Sequence, residues 1–277
     1  MNRYQNMFKK LYTNNEGCFM PFLMIADPSI EIFYKIIDIV ITSGANALEL
    51  GFPFSDPIAD GITVQKSSQR VLKNKISILN CFNIIQEIRI KYTELPIGIL
   101  VYANIVFNKG IKHFFELCKK NGIDSIVIPD IPIEESKIFI KYAKLNNISY
   151  IFICPPNAEK KLIQHIALKS TEYIYLISRT GVTGLKNKFI KPNINIIQTI
   201  KKYNTIPILQ GFGISSTKEI QKSLSYGTSG IICGSKIIQL IEKHKNDINI
   251  LFQKITILIK KFKKATKIID KHNFLNI

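Results

Sequence analysis

The sequence predicts an α/β fold, a single (β/α)8 TIM barrel in which eight parallel strands are surrounded by helices. Short, continuously apolar segments, typical of strands covered on both faces, alternate with amphipathic helical segments along the chain. Eight such pairs fit within 277 residues, the usual size of one barrel. No low-complexity linker or change of composition divides the chain, so we expect one domain over residues 1–277. A doubly wound open sheet is the structural alternative, although no Gly-x-Gly-x-x-Gly motif follows the first strand.

The elements of this barrel are assigned in chain order. An extra N-terminal helix is expected over 2–12, before the first strand. The strands are predicted at 18–25, 47–51, 96–102, 125–129, 148–153, 173–178, 207–211 and 230–233. The helices between and after them are predicted at 30–43, 63–72, 77–92, 111–121, 134–145, 159–168, 194–203, 217–224 and 236–243. An additional C-terminal helix over 247–268 follows the barrel.

The chain is strongly basic, with 38 Lys and Arg against 20 Asp and Glu and a formal net charge of +18. Such a charge makes binding to nucleic acid or to a membrane an alternative function. Arginine, the preferred reader of bases and phosphates, is rare, and the lysines are scattered over predicted helix faces. The densest basic run, at 260–264, lies on an amphipathic helix and is interpreted as a solvated face. We therefore expect no nucleic-acid or membrane partner.

The five cysteines are widely spaced, lie in apolar segments and form no Cys-x-x-Cys pair. This pattern argues against a disulfide framework and against a zinc site, so we expect buried thiols and no metal. The chain has neither an apolar run of about 18 residues nor the apolar stretch of a signal peptide at its start, and we expect a cytoplasmic protein. The four histidines lie far apart in sequence. Acid–base chemistry is therefore expected from carboxylates.

The most informative segment is 47–61, where a short strand runs into a loop with two prolines. It contains Glu49, Asp56 and Asp60 and no base, in a chain where bases predominate. Side chains alternate along a strand, so the flanking leucines would face the helices and Glu49 the barrel interior. An unpaired interior carboxyl has a raised pKa, which suits a proton donor, so catalysis is favoured over a structural ion pair for Glu49. Asp56 and Asp60 are weaker candidates on this reasoning, because acids on loops are usually solvated.

Functional residues of such barrels gather where the strands end at their carboxyl edge. At the last two of these ends, Gly213 and Gly234 stand near Ser215 and Ser235, which we expect to cap helices whose first N–H groups face the pocket. Glycines in this position after strands seven and eight predict a phosphate site. The long loop at 179–192, rich in Gly and Thr, is interpreted as a lid, with a plain linker as the alternative.

Taken together, these segments closely resemble the tryptophan synthase alpha chain family over essentially the whole chain. The longest matching stretch is Leu-Glu-Leu-Gly-Phe-Pro-Phe-Ser-Asp-Pro-Ile-Ala-Asp-Gly at 48–61. Further matches are Tyr-Ala-Asn at 102–104, Asp-Ile-Pro-Ile-Glu-Glu-Ser at 130–136, Ile-Phe-Ile-Cys-Pro-Pro-Asn at 151–157, Ser-Arg-Thr-Gly-Val-Thr-Gly at 178–184, Leu-Gln-Gly-Phe-Gly-Ile-Ser-Ser at 209–216 and Gly-Ser at 234–235. Each stretch alone is modest evidence, but in this order they are very specific.

The resemblance implies a lyase of tryptophan biosynthesis that cleaves indole-3-glycerol phosphate to indole and glyceraldehyde 3-phosphate, a retro-aldol reaction. It implies that Glu49 is the general acid–base and that Asp60 holds the ring N–H, oriented by Thr183 when the loop closes. From the residues alone, several apolar and aromatic side chains are as readily core as pocket wall. The resemblance places them around the substrate: Phe22, Leu100 and Phe212 at the indole and Tyr175 near the glycerol chain. It implies phosphate binding by backbone N–H groups at Gly184, Gly213, Gly234 and Ser235.

The alpha chains of this family work with a beta chain, in a complex of two of each, and pass indole to it through a tunnel. The beta chain carries pyridoxal phosphate, so the resemblance implies no cofactor in this chain. Pro53, Asp56, Pro57 and Asn104 match positions that the family uses at the contact with the beta chain.

The sequence departs from the family pattern at Met24, Ala26, Ile62 and Thr180, where Thr, Gly, Pro and Ser are common. None of these is a proposed catalytic group, so we expect tuning rather than loss of activity. Two rival functions remain beside the charge-driven one. An indole-glycerol-phosphate synthase would need a catalytic lysine at a strand end, where none is found. An alpha chain kept only as a scaffold for its partner would have no need of the acids that this chain retains.

Overall fold

The computed structural model describes residues 2–177, 194–211 and 213–267, and its strands confirm the predicted TIM barrel. Nine strands in the described residues form one parallel sheet in the order β5-β4-β3-β2-β1-β9-β8-β7-β6. Their bounds are β1 Cys18–Met24, β2 Leu48–Gly51, β3 Ile97–Leu100, β4 Ser125–Val127, β5 Ser149–Tyr150, β6 Ile153–Cys154, β7 Ile174–Ile177, β8 Ile208–Gly211 and β9 Gly230–Cys233. That residues 1–277 make one domain stays a prediction.

The helices lie outside this sheet and follow the predicted order, with one addition. Their bounds are α1 Arg3–Thr13, α2 Ile30–Thr42, α3 Ile62–Lys73, α4 Ile78–Lys91, α5 Ala103–Lys109, α6 Ile111–Lys120, α7 Lys137–Leu145, α8 Lys160–Lys169, α9 Ile194–Tyr203, α10 Thr217–Ser225, α11 Ser235–His244 and α12 Ile248–Ala265. The addition is α5, directly after β3, where the sequence analysis assigned no element. With two turns, it is too short to show a clear apolar period.

The predicted strand at 148–153 is wrong in detail, because two short strands, β5 and β6, replace it. The Ile151 N–H still donates to Ile126 on β4, whereas the Phe152 carbonyl accepts from Tyr175 on β7. The backbone therefore passes here from one end of the sheet to the other. This passage joins the two halves of the barrel.

The extra N-terminal helix is confirmed as α1, which packs on the barrel through Tyr4, Met7 and Leu11. The Tyr4 hydroxyl lies 2.8 Å from the Ser125 hydroxyl inside the barrel. The additional C-terminal helix is confirmed as α12, whose buried face includes Leu251, Ile255 and Ile259. The five cysteines are free and buried, as predicted. Within the described ranges, the helices are too short or too polar for any of them to cross a membrane.

Helix α3 begins at Ile62, directly after Gly61. The residue that replaces the family's usual proline is therefore the first residue of the helix. Proline is favoured there for two reasons. Its fixed φ suits the helix, and the N–H that it lacks would have no partner within the helix at this position. Gly61 is extended, with φ −78° and ψ 162°, which the residue before a proline tolerates. The Ile62 side chain is 52% exposed, so little packing is lost on replacing it.

We therefore expect Ile62→Pro to increase the free energy of unfolding by about 0.5–1 kcal/mol, because it restricts the unfolded chain. Urea unfolding at one pH measures the change, and Ile62→Ala serves as the control for loss of the side chain alone. A lower midpoint for the proline variant than for the alanine variant would contradict the expectation.

Candidate active site

A pocket at the carboxyl edge of the barrel contains most of the predicted site residues. Eight of them line it together: Phe22, Glu49, Asp60, Leu100, Tyr175, Gly213, Gly234 and Ser235. The residues come from β1, β2, β3 and β7 and from the segments after β2, β8 and β9. Parallel strands that end at one edge bring residues distant in sequence into one pocket.

Glu49 faces the barrel interior from the middle of β2, as the alternation along the strand predicted. It is 1% exposed, and neither carboxyl oxygen has a hydrogen-bond partner in the described part of the chain. Burial, reinforced by the nearby Asp60 carboxylate, raises the pKa of Glu49 to about 8. Glu49 is therefore protonated at neutral pH, and no group among the described residues competes for its proton. This is the state that a general acid requires.

Asp60 is also buried, at 4% exposure, so the expectation that a loop acid is solvated is wrong here. The loop folds back on itself, with the Asp60 N–H donating to the Pro57 carbonyl at 3.0 Å and Gln65 Nε2 donating to the Asp60 carbonyl at 2.8 Å. Burial raises the pKa of Asp60 to about 6, while a hydrogen bond from Tyr102 opposes the rise. At neutral pH the pocket thus holds one ionised carboxylate beside one protonated carboxyl.

Glycines make room for the two aromatic side chains of the pocket. A Cβ on Gly51 would lie 2.6 Å from the Phe22 ring, and a Cβ on Gly234 would lie 2.7 Å from it. A Cβ on Gly211 would lie 2.4 Å from the Tyr175 ring. Side chains at these glycines would displace the rings, because such approaches are far inside normal contact distance. Phe22 and Tyr175, which the residues alone left undecided between core and pocket wall, line the pocket.

The helices after β8 and β9 are capped by different residues from those predicted. Ser216, and not Ser215, caps α10, because its side chain accepts from the Glu219 N–H in a capping box. Ser215 instead donates to the Glu219 carboxylate at 3.0 Å. Gly234, and not Ser235, is the N-cap of α11, and its carbonyl accepts from two N–H groups of the first turn. Ser235 is the first residue of α11, so the start of this ten-residue helix still borders the pocket.

The four residues predicted to contact a partner differ in exposure. Asp56 and Asn104 are exposed and Pro57 is half-buried, which leaves them accessible to another chain. Pro53 is buried, so its side chain is not accessible at the surface, and its contact with a partner stays a prediction. It directly follows the strand, before the loop turns outward, and its neighbour Phe52 packs in the core beside Phe82.

Sequence reasoning missed five residues of the site. Val64, Ile214, Ile232 and Cys233 complete the pocket wall, and Tyr102 contacts Asp60. The four wall residues are apolar or weakly polar, so the sequence does not distinguish them from core residues. Thr183, Gly184 and Phe212 lie outside the described residues, as does the predicted lid. Across the ranges that the structure describes, no three His, Cys, Asp or Glu side chains are close enough to hold a metal ion.

The fold and this pocket define a TIM-barrel enzyme of the acid–base type, with two buried carboxyls whose pKa values differ. A sequence model of the tryptophan synthase alpha chain matches residues 8–267. The chain belongs to the tryptophan synthase alpha chain family, as its sequence motifs indicated. It is thus a lyase of the tryptophan synthase type, and the family is in line with cleavage of indole-3-glycerol phosphate in tryptophan biosynthesis.

Relatives of known name support this membership over nearly the full length. The chain is 50% identical to the tryptophan synthase alpha chain of Buchnera aphidicola subsp. Melaphis rhois, over 98% of this chain and 100% of the relative. It is 43% identical to that of Escherichia coli strain SE11, over 96% and 100% of the two chains. A chain of the tryptophan synthase a2b2 complex from Pyrococcus furiosus superposes with a TM-score of 0.81 at 28% identity, covering 90% of this chain and 98% of that one.

Proposed function

We propose that this chain cleaves indole-3-glycerol phosphate to indole and glyceraldehyde 3-phosphate in the pocket that holds Glu49 and Asp60. The observation that carries the proposal is the pair of buried carboxyls, one protonated and one ionised at neutral pH. Retro-aldol cleavage needs both states, because one group must donate a proton while another stabilises the positive charge that follows.

In the proposed mechanism, Glu49 donates its proton to the indole carbon that bears the side chain. The positive charge that develops on the ring is stabilised by the Asp60 carboxylate, which accepts a hydrogen bond from the ring N–H. Glu49, now ionised, takes the proton of the neighbouring chain hydroxyl. The carbon–carbon bond breaks, its electrons return to the ring, and the hydroxyl carbon becomes the aldehyde. Glu49 ends the cycle protonated, so no external proton is consumed.

The remaining pocket residues are assigned to binding. Phe22 and Leu100 offer an apolar wall to the indole, and Tyr175 lies near the path of the glycerol chain. The segment at Gly213 and the start of α11 at Gly234 and Ser235 are assigned to the phosphate, since N–H groups at a helix start favour anions. For Thr183, Gly184 and Phe212, the roles implied by the family stay predictions.

We further propose that the chain assembles with a tryptophan synthase beta chain, two of each, as in the Pyrococcus complex. Exposed apolar side chains next to the predicted contact residues support this. Ile58, two residues after Asp56, is 76% exposed, and Phe107, three residues after Asn104, is 52% exposed. The Phe54 ring of the same loop stacks on Tyr102, which immediately precedes α5, so the loop and the helix are adjacent. Exposed apolar groups of this kind are typical of docking surfaces.

The proposed reaction moves only protons and one carbon–carbon bond, so we propose that this chain needs no cofactor and that pyridoxal phosphate belongs to the beta partner. A cytoplasmic location is part of the same proposal. All five cysteines are free and buried, which suits a reducing compartment.

Indole release from indole-3-glycerol phosphate tests the proposed function. We expect the purified full chain to form indole slowly alone and much faster with a saturating cognate beta chain, whose binding is monitored by sedimentation. The acceleration is expected because the partner would dock on the loop that follows β2, which carries Asp60 and can therefore transmit the contact to the pocket. A bound beta chain without any indole formation would instead favour the scaffold alternative.

A further inference from the structure

We propose that Tyr102 is a positioning residue for the reaction, whose hydroxyl fixes the Asp60 carboxylate as an acceptor for the ring N–H of the substrate. The consequence for catalysis rests on the proposed function, whereas the contact itself does not. Tyr102 follows β3, is 1% exposed and is the N-cap residue of α5. It does not line the pocket, so it acts through Asp60.

The direction of the hydrogen bond between Tyr102 and Asp60 follows from a second contact. The Ala59 N–H donates to the Tyr102 hydroxyl oxygen at 3.1 Å. A phenol has one proton to donate, and an N–H that points at its oxygen keeps that proton turned away. The proton is therefore directed to the Asp60 carboxylate, to which the hydroxyl is hydrogen-bonded. This arrangement favours the ionised form of Asp60, which is the form that accepts.

The Tyr102 ring and the backbone that follows it are both held in place. The Phe54 ring stacks on it with centroids 5.1 Å apart at 23°, and Phe54 is itself fixed by Ser68 on α3. The Ser68 hydroxyl accepts from the Phe54 N–H at 2.8 Å and donates to the Phe54 carbonyl at 2.7 Å. The backbone next to Tyr102 is also held, because the Ala103 N–H donates to the Asp130 carboxylate at 3.0 Å at the start of α5. The hydroxyl is thus preorganised before substrate binds.

The titratable groups around Asp60 explain why this donor is needed. Glu49 on β2 and Tyr175 on β7 line the same pocket as Asp60, and the Asp130 carboxylate accepts from the residue that follows Tyr102. Burial favours the neutral form of Asp60, and the Tyr102 hydrogen bond is the contact that lowers its pKa. Loss of the hydroxyl would let this pKa rise above about 6, toward the pKa of Glu49. The pH interval in which Asp60 is ionised and Glu49 is protonated would then become narrower.

The test is Tyr102→Phe, which keeps the stacked ring and removes the hydroxyl. We expect the acidic limb of the pH profile for indole formation to move up by about one unit while the alkaline limb stays in place. A shift of one unit lowers the rate about tenfold on the acidic side. Tyr150→Phe is the matched control, since Tyr150 is also buried and lies near Asp130 but makes no contact with Asp60 among those described. A uniform loss of rate with unmoved limbs would mean a merely structural role and would overturn the proposal.

A second measurement needs no turnover. The Asp60 carboxyl is titrated by ¹³C NMR in the full chain, with Asp60→Asn used to assign its signal. We expect a higher pKa for Asp60 in Tyr102→Phe than in the wild type or in Tyr150→Phe, and an unchanged pKa would overturn the proposal. If the wild type forms no indole, the proposed function fails, while this titration still decides whether Tyr102 holds Asp60.

Discussion

Replacement of Glu49 by Gln is expected to lower indole formation by a factor of about 10³ or more, at saturating beta chain. Glutamine has nearly the same shape, so the pocket keeps its form, but an amide neither donates an acidic proton to the ring carbon nor takes one from the hydroxyl. The loss should appear in kcat, with KM little changed, because Glu49 acts on reacting atoms rather than on substrate affinity. Steady-state indole release measures both constants.

Glu172→Gln provides a matched control for this substitution. Glu172 is likewise buried, at 8% exposure, and burial likewise raises its pKa. Its carboxylate accepts a hydrogen bond from Asn2 Nδ2 at 2.6 Å, ahead of α1 and remote from the pocket. We expect this variant to keep most of the wild-type rate. If Glu49→Gln kept its rate as well, the fold would be unaffected, but the general acid would have to be a residue other than Glu49.

The position of Glu49 could be predicted from sequence because it depends on short-range rules. Alternation along β2 places the flanking leucines on one face and Glu49 on the other, and the absence of a basic neighbour in that strand and its loop is visible in the sequence. The apolar runs that became the strands are equally local. The same rules explain the confirmed barrel, since eight strand-and-helix units of this size leave few other arrangements.

The burial of Asp60 could not be predicted, because groups distant in sequence produce it. Tyr102 reaches it from the end of the next strand, and Ser68 closes the loop over Phe54. Asp27, another acid at a strand end, is instead held in an ion pair, and its partner is also distant in sequence. Arg70, 43 residues further along, binds both of its carboxylate oxygens, at 2.9 and 2.7 Å. These long-range partners determine which acid at a strand end is ion-paired and which is available for catalysis.

The helix caps show a smaller limit of the same kind. A serine near a helix start predicts a cap but does not fix its register when two serines are adjacent, as at 215 and 216. Glu219 decides the register, because its carboxylate reaches back to the Ser216 N–H while the Ser216 hydroxyl receives the Glu219 N–H.

The stability of the folded chain is expected to fall as pH rises from 6 to 8, and Glu49 is the reason. In the unfolded chain its carboxyl ionises near the ordinary pKa of 4.5, whereas in the folded chain the pKa is about 8. Between these values the folded state keeps a proton that the unfolded state has released. The stabilisation is therefore complete below about 4.5 and is lost as pH rises through about 8. Asp60 contributes in the same direction, but mainly below its pKa of about 6.

Over two pH units this linkage amounts to about 2–3 kcal/mol of unfolding free energy, since each unit corresponds to about 1.4 kcal/mol. Urea unfolding at pH 6 and pH 8 measures it. Glu49→Gln should remove most of the loss and be more stable than the wild type at pH 8, because the variant no longer buries a charge. Glu172→Gln should keep most of the loss of unfolding free energy between pH 6 and pH 8. A wild type equally stable at both pH values would mean that Glu49 is ionised in the folded chain at neutral pH, and the assignment of Glu49 as the proton donor would fail with it.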